Sequence, residues 1–240
     1  MAKRNQLRQM QNIYFFVCLF VILFGLRECR HVQSNIFLIN QHSSEIHLDG
    51  DVEEIEWEGA TSITNFHSPW VPTERDSTIF RCFCSQGYFN FCFEVIDRSL
   101  KILDYTDEMT ITKGDRVELF FSPSSKLSSY YCIEINPYGH ILDYKAQFYR
   151  KFDYSWNFSH YNIVGKVTLT GYVVEGCISL NELDSLNINF DKGFYMGIFR
   201  ADFTEENEDS PTWYSWINPH TKHPDFHIQS AFIKSRLNQF

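Results

Sequence analysis

Residues 114–139, GDRVELFFSPSSKLSSYYCIEINPYG, restrict the fold more than any other part of the chain. Val117, Leu119 and Phe121 recur at every second position, with Glu118 and Phe120 between them. After a Ser/Pro/Lys loop the alternation resumes, with Tyr131, Ile133 and Ile135 on one face and Cys132, Glu134 and Asn136 on the other. Successive side chains of a strand point to opposite sides, so period two marks two strands, each with one apolar face. Paired as a hairpin, they place Glu118 and Glu134 on the same outward face. Two carboxylates beside an aromatic suit a solvated sheet face, or a polar ligand.

The same punctuation runs on from there. Residues 77–84 and 88–96 are two strand-like runs joined by Ser85-Gln86-Gly87, a hairpin in which Phe89, Phe91, Phe93 and Val95 form a core face. Residues 161–169 and 172–178 form another across Thr170-Gly171. Further strands are expected at 46–48, 60–66, 140–147, 194–203, 213–216 and 231–237, with one helical turn at 179–183. Loops are expected at 67–74, 97–113, 148–160, 205–209 and 220–227. Turn signals about every ten residues, and no helical periodicity of useful length, predict an all-β antiparallel sandwich, immunoglobulin-like or jelly-roll-like. No linker divides residues 45–240, so one domain is expected there.

The N-terminus reads differently. Lys3, Arg4 and Arg8 form a basic leader, and residues 13–26 are an unbroken apolar run of 14 residues. That is short of the roughly 20 residues a membrane helix needs, and suits the apolar region of a secretory signal. No Ala-x-Ala site follows, which leaves an uncleaved membrane anchor as the second reading. Residues 1–30 are therefore expected to direct export, to the outside or a periplasm, or to tether the chain, with 31–44 as a connector. Cys29 stands where a bacterial lipobox places one, but Arg27 and Glu28 before it argue against lipidation. Of the 7 Cys, those beyond the leader show no metal spacing and read as small buried residues, with a disulfide still open. Asn157-Phe158-Ser159 is an N-glycosylation sequon, meaningful only in a eukaryotic secretory pathway.

The net charge of -9 argues against a nucleic-acid partner, because no basic field is present to displace counterions. Aromatics make up 17% of the chain. They favour half-buried strands and also stack on sugars, and a β-rich core accounts for them without a ligand. No GxSxG, HExxH, Walker or dinucleotide motif occurs.

The order of the pieces resembles a family 9 carbohydrate-binding module. The match runs through Leu48-Asp49-Gly50 with Trp57, Tyr88-Phe89 before Glu94-Val95-x-Asp97, and Asp115-x-Val117-Glu118-Leu119-Phe120. It continues through residues 131–139, Val174-Glu175-x-x-Ile178, residues 199–203, Ser215-Trp216 and Pro224-Asp225-Phe226-His227 before Phe232. The resemblance implies a β-sandwich that binds a saccharide without cutting it, as an accessory to polysaccharide breakdown. It implies that aromatics clamp the sugar ring and that Glu118 bonds its hydroxyls, with Phe226 as one wall. The second aromatic, expected shortly before Asp115, is replaced by Thr110, Ile111, Thr112 and Lys113. Either Trp70 or Trp216 takes its place, or the site is altered.

The expected ligand-binding set is Glu118, Glu134 and Asn136 on the hairpin, approached by Arg200, Trp216, Asp225, Phe226 and His227. Hydroxyls need donors and acceptors together, which carboxylates, an amide and a guanidinium supply. Arg200 serves equally as a neutraliser of buried carboxylates, and Trp216 as core. Glu118 and Glu134 also have the makings of a glycosidase pair, and a third reading is an interaction domain whose sugar site is lost. No cofactor is expected. Asp49, Asp97, Asp104 and Asp107 could hold a structural Ca²⁺, although exposed acidic loops are commoner. His220, His223 and His227 have metal-like spacing, but Pro219 and Pro224 exclude a helix there. A haem reading through Met109 or Met196 has little else behind it. The membrane enters only through the N-terminal segment.

Overall fold

The computed structural model describes residues 36–43, 45–52, 55–72, 77–204 and 210–239. The segment at 1–30 that is expected to direct export or tether the chain, and the acidic loop expected at 205–209, lie outside the described residues. Among those described, no helix is long and apolar enough to cross a membrane.

Two sheets face each other. The first runs β8 (Lys151–Asp153), β7 (Ile141–Gln147), β6 (Tyr130–Ile135), β5 (Arg116–Ser122), β11 (Phe194–Asp202) and β13 (Ile233–Leu237). β12 (Thr212–Ser215) pairs with the far half of β11. The second runs β3 (Thr78–Ser85), β4 (Tyr88–Ile96), β10 (Gly171–Ser179) and β9 (Tyr161–Val167), with β2 (Thr61–Ile63) on β3. β1 (Ile36–Gln41) joins them, pairing through residues 36–39 with β13 and through Asn40 and Gln41 with β3.

Both of those β1 pairings are parallel, whereas every other strand pair is antiparallel. The sandwich is therefore mixed rather than wholly antiparallel. Ile36–Ile39, expected within a connector, instead belong to the sandwich. Ile39 is completely buried, and a strand of six residues between polar neighbours is too short for its period to be read alone.

Alternation explains the core. Phe89, Phe91 and Phe93 from β4 meet Val117, Leu119 and Phe121 from β5 and Ile133 and Ile135 from β6 between the sheets. Each such side chain removed from water contributes about 1.5–3 kcal/mol. The hairpin at Gln86-Gly87 falls where the turn residues place it, whereas the β9–β10 turn lies one residue earlier than expected, at 168–170, with Gly171 already in β10. The helical turn is α2 (Leu180–Ser185); α1 (Ile55–Glu58) and two 3₁₀ turns, Glu108–Lys113 and Gln229–Ala231, were not expected. The run at 46–48 is not a strand but crosses the outside of the second sheet. At the sandwich edge Gly165 of β9 packs on the backbone of Gly139, which sits in a turn at φ +81; a Cβ on Gly165 would strike Gly139 N. The five described cysteines are free, four of them buried.

The outer face of the first sheet is not bare. Phe120, Tyr130, Cys132, Leu142, Tyr144 and Phe199 form a second apolar layer there, covered by Phe226, Ala231 and Phe232 from the segment before β13. That covering positions the site.

Candidate functional site

β5 and β6 pair so that Glu118 lies directly opposite Glu134. Period two puts Arg116, Glu118 and Phe120 on the outer side of β5, with Glu134 and Cys132 beside them on β6. Both carboxylates point outward as expected, yet both are buried, because the C-terminal loop closes over them. The bland expectation of a solvated sheet face is thereby corrected.

Arg116 lies between the two acids. Its Nε donates to Glu134 Oε2 at 2.6 Å and to Glu118 Oε1 at 3.0 Å, and Nη1 reaches the carbonyls of Thr112 and Gly114, each at 3.3 Å. Tyr144 donates its hydroxyl to Glu134 Oε1 at 2.9 Å. Both oxygens of Glu134 are thus engaged, whereas Glu118 Oε2 has no partner among the described residues. Burial first, then the charge of Glu134, push the Glu118 carboxyl well above the usual carboxylate range, against the pull of Arg116.

A cavity of about 100 Å³ opens beside this array, lined by Arg116, Glu118, Glu134, Arg150, Trp213 and residues 224–227. Arg150 Nη2 donates to Asp225 Oδ1 at 2.8 Å, and Tyr149 donates to its Oδ2 at 2.7 Å. Phe226 stacks on Phe199 with ring centroids 3.9 Å apart and planes at 9°. Trp213 meets Phe226 edge-on at 5.4 Å and lies 5.3 Å from the Arg116 guanidinium carbon. His227 Nδ1 shares a hydrogen bond with the Tyr130 hydroxyl at 3.0 Å. Burial, and next the Arg150 charge, hold its pKa down to about 3, so it is neutral near pH 7.

The structure brings Glu118, Glu134, Asp225, Phe226 and His227 together around one cavity. Three expected members lie elsewhere. Arg200 faces the other way, because it pairs with Val117, an inward residue. It is fully buried between the sheets, donating to Asp97 Oδ2 at 2.8 Å and lying 3.4 Å from Asp202. Trp216 packs edge-on against Phe37 at 5.0 Å, at the margin of the inner core. Asn136 holds the β6–β7 turn, accepting from the backbone N–H of Tyr138 and His140, each at 3.0 Å.

The expected Ca²⁺ set is not assembled either. Asp107 caps the 3₁₀ turn, accepting from Thr110 N, while Asp97 binds Arg200. Among the described residues, one group of acids offers ligand atoms within 4.8 Å of one another, Asp97, Asp115 and Asp202. Arg200 already supplies positive charge there, and Asp115 is taken by the backbone N–H of Lys101 and Phe203, each at 2.6 Å.

Reading the sequence missed Arg116, Arg150 and Trp213. Arg116 was within reach of it, since period two puts residue 116 on the face of Glu118. Arg150 and Trp213 arrive from distant segments with no pattern to announce them. Trp213 lines the cavity, whereas Trp70 is not in its lining. Trp70 lies 5.8 Å from Phe226 and donates its indole N–H to Thr221 O at 3.1 Å.

The family model described as carbohydrate family 9 binding domain-like matches residues 48–232. The chain belongs to this family. Structures of a family 9 carbohydrate-binding module from Caldicellulosiruptor kristjanssonii share the fold. The one in complex with cellotriose has TM-score 0.56 at 16% identity, covering 84% of this chain and 92% of that one. The complex with glucose has TM-score 0.54 at 16% identity, covering 83% and 95%. A Bacteroides uniformis protein provisionally named carbohydrate-binding has TM-score 0.60 at 15% identity, covering 83% and 100%. At these identities the likeness is one of fold. No curated protein sequence matches the chain at a significant level.

Proposed function

We propose that this family 9 module binds a saccharide, without cleaving it, in the cavity beside Arg116, Glu118 and Glu134. The observation that carries the proposal is the unpartnered Glu118 oxygen, backed by a guanidinium and facing an aromatic wall. A sugar hydroxyl both donates and accepts, and the array offers both functions. The Trp213 ring would remove an apolar sugar face from water. At about 100 Å³ the cavity is smaller than the roughly 300–1,000 Å³ typical of small-molecule sites. It suits part of one sugar ring rather than a length of chain.

A glycosidase needs its scissile bond between the two carboxyl groups, which stand about 5–9.5 Å apart across it. Here Arg116 Nε occupies that position, and Glu134 has no oxygen to spare. Binding is therefore the better use of the pair. The basic leader and the apolar run at 13–26 support a module exported or tethered by its N-terminus; membership of the carbohydrate family 9 binding domain-like family supports a part in polysaccharide breakdown.

The test is to titrate the chain against neutral oligosaccharides, glucose and cellotriose among them, with a reducing-sugar assay in parallel. Glu118→Ala should weaken binding by about 1–3 kcal/mol, the cost of removing a partner of a buried hydrogen bond. Trp213→Ala should weaken it too. Wild-type affinity in both variants would move the site elsewhere. Turnover by the wild type that Glu118→Gln abolishes would instead make the protein a hydrolase.

A further inference from the structure

A second opening lies away from the paired carboxylates. A cleft of about 620 Å³ lies on the second sheet, where the segment at 45–48 and the ends of β3, β4, β9 and β10 meet. Its volume falls within the range of small-molecule sites, about 300–1,000 Å³.

Both walls are pinned by carboxylates. Glu175 of β10, fully buried, accepts from Gly50 N at 2.6 Å, Asp49 N at 3.1 Å and the Trp57 indole N–H at 3.0 Å, which fixes the crossing segment. Glu182 of α2 accepts from Ser159 N at 2.6 Å and His160 N at 2.7 Å, which fixes the opposite wall. Gln86, in the β3–β4 turn, donates to Ser43 O. Such walls are ordered in advance, which lowers the cost of binding.

The lining narrows the chemistry. No Lys or Arg faces the cleft, and its one carboxylate is Glu45. His47 and His160 add imidazole nitrogens to the lining, while the guanidinium and ammonium groups that usually hold phosphate are missing from it. Next to the apolar patch at Trp57, Phe83, Cys92 and Val173, the outer face of this sheet changes to Ser85, Asn90 and Cys177. Asn162 and Ser159 add amide and hydroxyl groups. Tyr88 and Tyr161 stand 43% and 39% exposed on its rim, and Ile46 and Leu48 give it apolar surface. Neutral groups that donate and accept, set among rings, match a ligand with many hydroxyls and apolar C–H faces.

We propose that this cleft is a second binding site, for a neutral oligosaccharide segment of more than one sugar unit, on the sheet opposite the Glu118 cavity. It stands on its own lining and does not require the first site to be functional. Two sites on opposite sheets would let one molecule hold two strands of a glycan.

The experiment uses the full chain carrying Glu118→Ala and Trp213→Ala, which disable the first cavity. Its probes are gluco-, manno-, galacto- and xylo-oligosaccharides, with sulfated counterparts, on an array and then by titration calorimetry. Binding of at least one neutral member should survive. Adding Tyr88→Ala or, separately, the exposed Asn162→Ala should weaken that binding at least tenfold, with the circular dichroism spectrum unchanged. In an otherwise wild-type chain the same two substitutions should leave binding at the Glu118 cavity unaltered. Loss of all neutral binding in the Glu118→Ala, Trp213→Ala chain overturns the proposal. So does surviving binding indifferent to both cleft substitutions, and so does binding confined to sulfated probes. The first-site reading fails separately, if Glu118→Ala alone changes nothing.

Discussion

Four ionisable groups, Glu118, Asp115, His227 and Arg200, divide the work between binding and stability. Glu118 and Asp115 both hold the proton more tightly in the folded chain than in the unfolded one. For Asp115, burial outweighs its two backbone N–H bonds and lifts it to about 7. Unfolded carboxyls titrate near 4, so above that range the folded chain binds more protons and loses stability as pH rises through the raised values. His227 acts in the opposite sense. The unfolded chain takes up its proton below about 6.5 and the folded chain does not, so His227 costs stability as pH falls below that. Between pH 8 and 7 the carboxyls outweigh His227, so the urea midpoint should climb as pH falls across this interval. Glu118→Gln should flatten the climb; a midpoint that drops instead would contradict the assignment. Arg200 makes a second test, because it neutralises acids between the sheets. Arg200→Met should cost about 3–5 kcal/mol, the range for stranding a buried charge. Denaturant unfolding measures it, and a neutral result would mean that the acids find other partners.

At the scale of elements, the segment before β13 decides whether Glu118 meets a cavity or open solvent. Phe226 anchors it, stacked on Phe199 of β11 and flanked by Trp213 and Trp70. Phe226 is 5% exposed, so it is more floor than free wall. Phe226→Ala should therefore cost about 3–5 kcal/mol, as buried Phe truncations do. It should also open residues 217–232 to proteolysis while the inner core stays folded. Limited digestion followed by mass spectrometry would show cleavage there; uniform protection would mean that the covering holds without its anchor.

For the whole molecule, β1 matters out of proportion to its length. It is parallel to one strand in each sheet and passes from one sheet to the other between Ile39 and Asn40. Asn238 N donates to Ile39 O at 2.8 Å, which ties the residues after β13 to β1. A chain beginning at residue 36 should unfold cooperatively. One beginning at residue 45 should lack a sharp transition, because β13 and β3 each lose a partner and Phe37 and Ile39 leave the core. Equal melting curves for the two would reduce β1 to decoration.

Local pattern and tertiary contact account for different parts of this protein. Period-two alternation is a property of consecutive residues. It reveals the inward faces of β4, β5 and β6, the two tight hairpins, and the fact that Glu118 and Glu134 share a side. It would have revealed Arg116 as well, two positions from Glu118. The family's ordered motifs reach further, to Asp225, Phe226 and His227. What no local pattern carries is which strand lies beside which, and therefore which way a residue faces once it is paired. Arg200 lies inside because β11 aligns it with Val117. Trp213, rather than Trp216, reaches the cavity because β12 aligns it with Ala201, next to Arg116. A one-residue change of register would reverse each of these outcomes, since neighbouring side chains of a strand face opposite ways. The burial of the carboxylate pair is likewise a matter of long-range packing, settled by a loop about a hundred residues further along the chain.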